Sequence, residues 1–378
     1  MGLCHFNHRA LGRAVALTRG HETSRGGPAM KVALLTDTHF GARSDNAHFD
    51  AHFREFFDKT FFPTLKKNKI TEIIHLGDVF DRRKSVNFQT LHNCIDYFFK
   101  RLEELDIHMT VIVGNHDTFY KNTNEVNSVE LILGKYPGID ILIRPRVKVF
   151  DNRKILLVPW ICDDTAADSA GFLDKTKVDV CFGHLEIAGF AMYRGMVNTE
   201  GLEQSIFDRF KLTCSGHFHH RSSTDNIFYL GSPYQMTWSD YGDSRGFHIF
   251  DTKTLRMEFI ENSSRMFHRV EWKDGSDVPP SFPGKCVKLV VLEKTPKNVK
   301  KFDLYVEQLM QSGPADLKIV EDFNVLESDV LDDENIVVED TISLLNGYVD
   351  SLDTEADKGR LKTMLQSLYV EAQHVEQT

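Results

Sequence analysis

The stretch TEIIHLGDVFD, residues 71–81, decides the expected fold of this chain. Its run of isoleucine and leucine ends at Gly77, which is typical of a buried β-strand followed by a turn. Asp78 comes directly after the glycine. Ligands of open α/β sheets bind just beyond the carboxyl ends of the strands, so Asp78 is our first candidate for a functional residue. Taken alone, a Gly-Asp pair at a strand end is also an ordinary turn.

Further strand-like runs end in the same way, at residues 32–35, 109–113, 178–182 and 212–214. The ends of these runs present Asp37-Thr38-His39, Gly114-Asn115-His116-Asp117, Gly183-His184 and Ser215-Gly216-His217-Phe218-His219-His220. Helical patterns separate the first strands, most clearly at about 85–105, and this alternation predicts βαβ units with a parallel sheet. Parallel strands joined in this way carry their carboxyl ends along one edge, so we expect the polar groups to meet there.

Composition and charge exclude several classes of protein. The 378 residues, 41% hydrophobic and 26% charged, suffice for a catalytic domain with one or two smaller modules. No run approaches the roughly 18 apolar residues of a membrane span, so we predict no membrane partner. The net charge of −10 is concentrated in residues 320–357, with 13 acidic and no basic residues, and does not argue against a polyanionic substrate. Six scattered cysteines without a CxxC pair indicate reduced thiols in an intracellular, cytoplasmic protein and no cysteine zinc site.

The chain begins with an unusual segment and continues with the largest predicted domain. Residues 1–29 are rich in arginine and poor in acidic residues. We expect them to be an extension, either a disordered, transit-like leader or the product of a start codon placed before a true start at Met30. Residues 30–275 form the predicted catalytic domain. Its later strands are expected to complete the second sheet of a sandwich, at 226–230, 245–251 and 255–261.

Two smaller segments are predicted after the catalytic domain. A proline-rich linker at 279–284 lies near the start of a small βαβ domain, residues 276–338. Residues 339–378 form a tail with two amphipathic helical patterns. Two interpretations of the tail stay open: its apolar stripe packs on its own domain, or it enters the groove of a partner.

The polar groups combine histidine, carboxylate and one amide, without a thiolate. Such ligands suit Mn²⁺, Mg²⁺, Fe²⁺ or Zn²⁺, and their number is too large for one ion. In an extended segment, residues two apart point the same way, so Asp37 and His39 can reach one ion, as can His217 and His219. Asp78 is the natural bridge between two ions. Two ions about 3.5–4 Å apart are typical of phosphate-ester hydrolysis.

Candidate residues for catalysis and substrate binding lie beside these ligands. We expect His116 to contact the phosphate or to protonate the leaving oxygen, with Asp117 orienting its ring. The basic run that follows residue 81 is either a solvated face or a contact for a polyanion's backbone: Arg82, Arg83 and Lys84. Two other histidines, His75 and His248, are expected to be structural. His220 is expected to be a surface residue or a substrate contact.

The order of the groups resembles the signature of the calcineurin-like metallophosphoesterase superfamily, namely Asp37-x-His39, Gly77-Asp78-x-x-Asp81, Gly114-Asn115-His116-Asp117, Gly183-His184 and Gly216-His217-x-His219. Within it, the sequences GNHD at 114–117 and GSPYQ at 231–235, followed by Trp238 and Gly246-Phe247, resemble the SbcD-type nuclease subunits of DNA double-strand-break repair, especially compact bacterial and phage forms. The similarity covers about residues 30–250. The small domain resembles the DNA-capping domain of that family in outline.

The resemblance implies an α/β (α+β) fold, a β-sandwich flanked by helices with a capping domain and C-terminal helices. It implies one metal ion bound by Asp37, His39, Asp78 and His219. It implies a second bound by Asp78, Asn115, His184 and His217, with His116 catalytic. The expected ions are Mn²⁺, with Mg²⁺ as the alternative.

The resemblance also implies a function and partners. The expected activity is exo- and endonuclease cleavage at DNA ends, on double-stranded ends and single strands. A homodimer would form through helices near 85–105 and after Asn122, and the C-terminal helices would bind a coiled-coil SbcC-type ATPase. Two alternatives stay open: another phosphoesterase, such as a protein phosphatase or nucleotide phosphodiesterase, and a DNA-end-binding scaffold whose metals are structural.

Overall fold

The computed structural model describes residues 30–193, 196–321, 349, 358–362 and 364–365. The predicted extension, residues 1–29, lies outside this part of the chain. Residues 322–338 of the predicted small domain and most of the predicted tail also lie outside it. Within the described ranges, no helix has the length and apolar character needed to cross a bilayer.

A six-stranded sheet forms the first layer. In spatial order its strands are Met257–Glu261, Gly246–Asp251, Lys31–Leu35, Glu72–His75, His108–Ile112 and Ile139–Leu142. The last four run parallel to one another, and the first two are antiparallel additions. The parallel strands are apolar on both faces because both are covered: Val32 and Leu34 pack towards the second sheet, whereas Ala33 and Leu35 pack towards the helices.

A second six-stranded sheet packs against the first. Its spatial order is Ser222–Thr224, Ile227–Tyr229, Leu212–Ser215, Val180–Gly183, Arg153–Val158 and Arg146–Phe150. The four central strands are parallel and the two edge strands antiparallel. Around it lie the helix Ala166–Lys175, the 3-10 turn Gln204–Phe207, and the short strands Ala191–Tyr193 and Met196–Val197, whereas the 3-10 turn Trp238–Asp240 packs through Trp238 on the core of the first sheet and its helices. This sandwich with flanking helices confirms the predicted α/β (α+β) class.

Helices cover the outer face of the first sheet. Their bounds are Ala47–Phe56, Phe57–Phe61, Phe62–Asn68, Phe88–Cys94, Ile95–Phe99, Lys100–Glu104 and Ser128–Leu133, with a left-handed turn at Ala42–Asp45. Phe57–Phe61 and Ile95–Phe99 are π-helical turns. A π-turn contains one extra residue, which shifts the phase of the helix predicted at 85–105. Tyr97, Phe98 and Phe99 are consequently all buried, whereas Leu105, which ends the helix Lys100–Glu104, is 43% exposed.

The structure corrects the predicted strand pairing in two respects. The strands predicted to complete the second sheet divide between the layers: Ile227–Tyr229 joins the second sheet, whereas Gly246–Asp251 and Met257–Glu261 extend the first. The strand ends with polar groups likewise come from two stacked sheets, three from the first and two from the second, and not from one sheet edge. Apolar periodicity predicts a strand but not its neighbour, because pairing is chosen by the packing of the layers.

A small parallel sheet follows the sandwich. Its strands are Phe267–Trp272, Cys286–Val291 and Asp316–Val320, and the helix Val299–Gln311 packs on it through Phe302 and Leu309. The predicted βαβ unit is present, but the strand Phe267–Trp272, counted with the catalytic domain, joins the same sheet. The proline-rich stretch at 279–284 is therefore a connection between two strands of the small sheet and does not precede it.

The orientation of the helix Val299–Gln311 can be tested with two identical substitutions. Leu309 is fully buried on the small sheet, whereas Leu304 is 54% exposed on the same helix. Leu309→Ala should lower the free energy of unfolding by about 2–5 kcal/mol, because it removes buried methyl groups and leaves a cavity. Leu304→Ala should change it by less than about 0.5 kcal/mol. Urea unfolding followed by circular dichroism measures both values, and equal losses would contradict this orientation.

Candidate metal centre

The candidate site lies where the carboxyl ends of strands from both sheets meet. Backbone hydrogen bonds connect the loops of the first sheet: the Asp37 N–H donates to Gly77 O at 3.0 Å and the His39 N–H to Asp78 O at 3.1 Å. The His217 N–H from the second sheet donates to Asp37 Oδ1 at 3.1 Å. These bonds fix the loops to one another, so that their side chains point into a common space.

Four of the predicted ligands have left-handed backbone conformations, which are unusual for non-glycine residues. Their φ angles are 51° at Asp37, 40° at His39, 54° at Asp78 and 85° at His217. Such conformations cost about 1–3 kcal/mol each and cluster at functional sites. The extended geometry predicted for Asp37 and His39 is therefore wrong, although their side chains do converge.

Two glycines permit the close approach of the loops around Asp78. A Cβ atom on Gly114 would lie 2.2 Å from Asp78 Oδ1, and one on Gly77 would lie 2.6 Å from His184 Nδ1. Both distances are far shorter than van der Waals contact. The glycines of the sequence pattern are thus required by packing against the carboxylate and the imidazole.

The first ligand group contains Asp37, His39 and His219, whose donor atoms lie within 4.8 Å of one another. His39 Nε2 lies 3.1 Å from His219 Nε2 and 3.6 Å from Asp78 Oδ2. The other ring nitrogen of His39 lies 3.3 Å from Asp81 Oδ1. A carboxylate at Nδ1 is the usual partner that orients a metal-binding imidazole.

The second ligand group contains Asp78, His184 and His217, again within 4.8 Å, together with Asn115. Asn115 Oδ1 lies 2.8 Å from His184 Nε2 and 3.0 Å from His217 Nδ1. Asp78 Oδ2 lies 3.3 Å from His184 Nε2. His217 and His219 therefore belong to different groups, and the prediction from residue spacing that they share one ion is wrong.

The arrangement around His184 indicates a positive charge between the donors. His184 Nδ1 donates a hydrogen bond to Leu76 O at 2.7 Å, so Nε2 of the neutral ring carries a lone pair. That lone pair faces the amide oxygen of Asn115 and the carboxylate of Asp78, and neither group can donate to it. Oxygen and imidazole donors that converge in this way fit a divalent cation.

The charges of the buried groups are consistent with this conclusion. Burial opposes the charge of Asp78, but His184 and His116 outweigh it and hold the pKa of Asp78 well below its usual value. Burial also opposes the charge of His184, yet Asp78 raises the pKa of His184 to about 9. Burial lowers the pKa of His217 to about 3, and His184 adds to that effect. The buried carboxylate thus attracts positive charge, which protons supply when metal ions do not.

Comparison with known proteins identifies the family to which this chain belongs. Residues 30–221 match the sequence profile of the calcineurin-like phosphoesterases. The chain belongs to this family. It is 33% identical to exonuclease subunit 1 of Enterobacteria phage T4 over 91% of this chain and 99% of that protein. It is 27% identical to the DNA double-strand break repair protein Mre11 of Sulfolobus acidocaldarius over 51% of this chain and 50% of that protein. It is 20% identical to one component of the nuclease SbcCD of Escherichia coli over 77% of this chain and 84% of that protein. The predicted family is confirmed.

His116 lies beside both ligand groups of this phosphoesterase. Its backbone N–H donates to Asp78 Oδ1 at 2.8 Å, and its ring meets His39 edge-on at 4.7 Å between centroids. A ring nitrogen lies within 4.8 Å of the donor atoms of His39 and Asp78. Its Nδ1 donates to Asp81 O at 2.6 Å. Asp81 therefore orients two imidazoles, one through its carboxylate and one through its carbonyl.

The predicted role of Asp117 as the group that orients His116 is wrong. Its carboxylate is fully buried and accepts three backbone hydrogen bonds, from Gly114 at 2.9 Å, Val79 at 2.9 Å and Phe80 at 3.2 Å. Burial, with Asp78 adding to it, raises the pKa of Asp117 to about 6. Asp117 thus joins the loop after Asp78 to the loop that contains Asn115. Adjacency in sequence suggested the wrong partner, because the turn directs the two side chains apart.

Two functional residues received no role from the sequence. Asp81 belongs to the motif Gly77-Asp78-x-x-Asp81, and its position three residues after Asp78 is the sequence feature that could have indicated a role in the site. Arg245 had no signal: its guanidinium, 1% exposed, donates to the carbonyl of His219, to Ser232 Oγ at 2.6 Å and to Asp240 Oδ1 at 2.5 Å. His220 joins this network through Asp243, and its side chain is 11% exposed, which does not agree with a freely exposed surface residue; the predicted substrate contact stays a prediction.

The remaining predicted residues occupy the rim or the core. Arg82 pairs with Asp45 at 2.7 Å and is exposed, Arg83 is half-buried and Lys84 is exposed. The two interpretations of this basic run both stay open. His75 is fully buried and lies 3.1 Å from Thr38 Oγ1, which agrees with its predicted structural role.

The shared position of Asp78 predicts that one substitution weakens both ligand groups. Asp78→Asn removes the charge that faces His39 and His184 while preserving the shape of the side chain. Calorimetric titration with MnCl₂ should show two-site binding for the unmodified protein and loss of measurable binding for the variant. Asp140→Asn, on the edge strand Ile139–Leu142, serves as the control and should bind normally. Unchanged binding by Asp78→Asn would rule out the bridging position.

The structural role of Asp117 predicts loss of stability. In Asp117→Asn the amide nitrogen cannot accept a hydrogen bond, so at least one of the three buried backbone N–H groups loses its partner. The free energy of unfolding should fall by about 1–3 kcal/mol in urea titrations. A variant with normal stability and slower turnover would instead support the orienting role that the sequence suggested.

Proposed function

We propose that this phosphoesterase is a divalent-metal-dependent DNA nuclease that hydrolyses phosphodiester bonds at DNA ends, with exo- and endonuclease activity, in double-strand-break repair and recombination. The observation that carries the proposal is the pair of donor groups that meet at Asp78, with His116 beside them. The similarity to exonuclease subunit 1 over nearly the whole of both chains supports a nuclease, and the similarity to a DNA double-strand break repair protein over about half of this chain supports DNA among phosphate esters.

The proposed metal assignment follows the two groups. One ion is bound by Asp37, His39, Asp78 and His219. The other is bound by Asp78, Asn115, His184 and His217. The four histidines favour Mn²⁺, a borderline ion, and Mg²⁺ is the alternative. When bound, such ions would supply Lewis acidity and would lower the pKa of water at the site.

The residues of the chain position the substrate and move a proton. His116 Nδ1 is engaged by Asp81 O, which leaves Nε2 as the ring nitrogen that can carry a proton to the leaving oxygen. The bond from its backbone N–H to Asp78 holds the ring next to the ligand groups. Arg82 and Lys84 at the rim, with Arg83 behind them, would attract the phosphates on either side of the cleaved bond.

We propose three partners: a second copy of this chain, DNA and an ATPase. The segment proposed to bind the ATPase lies mostly outside the described residues. Two strongly exposed apolar side chains support a homodimer through the helices near 85–105 and after Asn122: Phe88 is 88% exposed and Leu131 is 73% exposed. We propose that the small domain, from Phe267–Trp272 onwards, caps the DNA. The acidic, amphipathic tail at 339–378 would bind an SbcC-type coiled-coil ATPase. Such a protein acts in the cytoplasm, where the DNA is.

The nuclease proposal predicts a specific defect in a His116 variant. His116→Leu should lower kcat for cleavage of end-labelled linear duplex DNA in Mn²⁺ by about 100- to 10,000-fold, because the proton donor is lost. Its affinity for Mn²⁺ and for DNA should be retained. His48→Leu, an exposed histidine outside both groups, is the matched control and should cleave normally.

The same assay separates the alternatives. A phosphopeptide and a cyclic nucleotide are incubated in parallel with the DNA. Hydrolysis of either one without DNA cleavage would identify a different phosphoesterase activity. Binding of Mn²⁺ and of DNA ends without hydrolysis of any substrate would instead identify an end-binding scaffold.

A further inference from the structure

Trp160 stands beside the second ligand group and has no part in the proposed chemistry. It follows the strand Arg153–Val158, at the end of the second sheet that contributes His184 and His217. Its ring centroid lies 5.2 Å from that of His217 and 6.1 Å from that of His184. The side chain is half-buried, so part of the indole is open to solvent next to the ligands.

The backbone of Trp160 is fixed on both sides. Its N–H donates to Val113 O at 2.8 Å, which connects it to the first sheet. Its carbonyl accepts from Asn124 Nδ2 at 2.8 Å and from Thr165 Oγ1 at 3.3 Å. Pro159 precedes it and restricts the backbone further. The indole is therefore a positioned surface, which loses little conformational entropy when a ligand binds.

The His217 ring is held by other residues, so a role in supporting His217 does not by itself explain the presence of Trp160. The His217 ring already packs on Phe218, 3% exposed, at 5.0 Å between centroids. Phe218 in turn stacks on Tyr229 at 4.6 Å. Asn115 engages His217 Nδ1 at 3.0 Å. His217 and Trp160 are both half-buried, so each of these neighbouring residues keeps part of its surface accessible to solvent.

We propose that Trp160 is a stacking platform for the base of a nucleotide next to the cleaved phosphate, on the side of Asn115, His184 and His217. This inference rests on the proposed function. Because a base inside a duplex is already stacked on both faces, the platform favours unpaired nucleotides, at frayed ends or in single strands. Aromatic stacking of a base tolerates every sequence, since each base has a π-face. Trp160 thus determines the preferred DNA structure and not the sequence.

The test compares two Trp160 variants on two oligonucleotides. Trp160→Leu removes the aromatic face but keeps an apolar side chain beside His217, whereas Trp160→Phe keeps a ring. The substrates are a labelled single-stranded oligonucleotide in Mn²⁺ and the same oligonucleotide with an abasic nucleotide on either side of the cleaved phosphate. Binding of Mn²⁺ is measured by calorimetry for each protein.

The expected results compare each protein on both oligonucleotides, so that the loss caused by the substitution can be assigned to the missing base. Trp160→Leu should lower kcat/KM on the normal oligonucleotide by about 5- to 150-fold, mainly through KM, and should lose the preference for single strands over duplex. On the abasic oligonucleotide the variant and the unmodified protein should have the same kcat/KM. Trp160→Phe should retain most of the activity, and all three proteins should bind Mn²⁺ equally.

Three results would overturn the inference. An equal loss on both oligonucleotides, with weaker Mn²⁺ binding, would mean that the indole only supports His217. Unchanged cleavage of the normal oligonucleotide by Trp160→Leu would mean that no base contacts the ring. Failure of the unmodified protein to cleave any DNA would overturn the proposed function first, and the inference with it.

Discussion

The burial of one carboxylate organises this structure. Asp78 is 1% exposed and carries its charge between two groups of histidines. A buried charge is very unfavourable unless opposite charge and hydrogen-bond donors surround it. The N–H of His116, the ring of His184 and the ring of His39 meet this requirement from three different loops. Convergence of loops from two sheets is thus the condition under which Asp78 can be buried at all.

Left-handed backbone at several ligands requires support from the surrounding loops. Asp117 supplies part of it, because its carboxylate binds the N–H groups of the two residues after Asp78 and that of Gly114 in the neighbouring loop. Arg245 acts similarly on the other side, where its guanidinium donates to the carbonyl of His219. The groups closest to the chemistry are therefore held by other buried charged residues, Asp117 and Arg245, each of which makes at least three hydrogen bonds. Substitution of such a residue alters ligand geometry without removing a ligand.

The polarity of the site changes from its interior to its rim. Carboxylates, an amide and imidazoles line the interior, where a cation fits. Towards solvent, Trp160 offers an apolar face beside His217, and the basic residues from Arg82 onwards lie beyond Asp81. A polyanion with aromatic bases is complementary to both parts of this rim. A phosphorylated serine or threonine would use the basic residues but would have no ring to stack on Trp160.

The sequence by itself determined the strands, their polar ends and the family, because apolar runs that stop at polar residues are local signals, and the order of five such ends is specific although each alone is not. Asp78, His184 and the other predicted ligands could be selected from these ends. Only the tertiary structure decided which sheet each strand joins, because strand pairing depends on packing between layers. It also decided that His217 and His219 separate, that Asp117 binds backbone and not His116, and that Arg245 supports His219. These facts depend on backbone direction at turns and on contacts between residues far apart in the chain, and neither is encoded in local spacing.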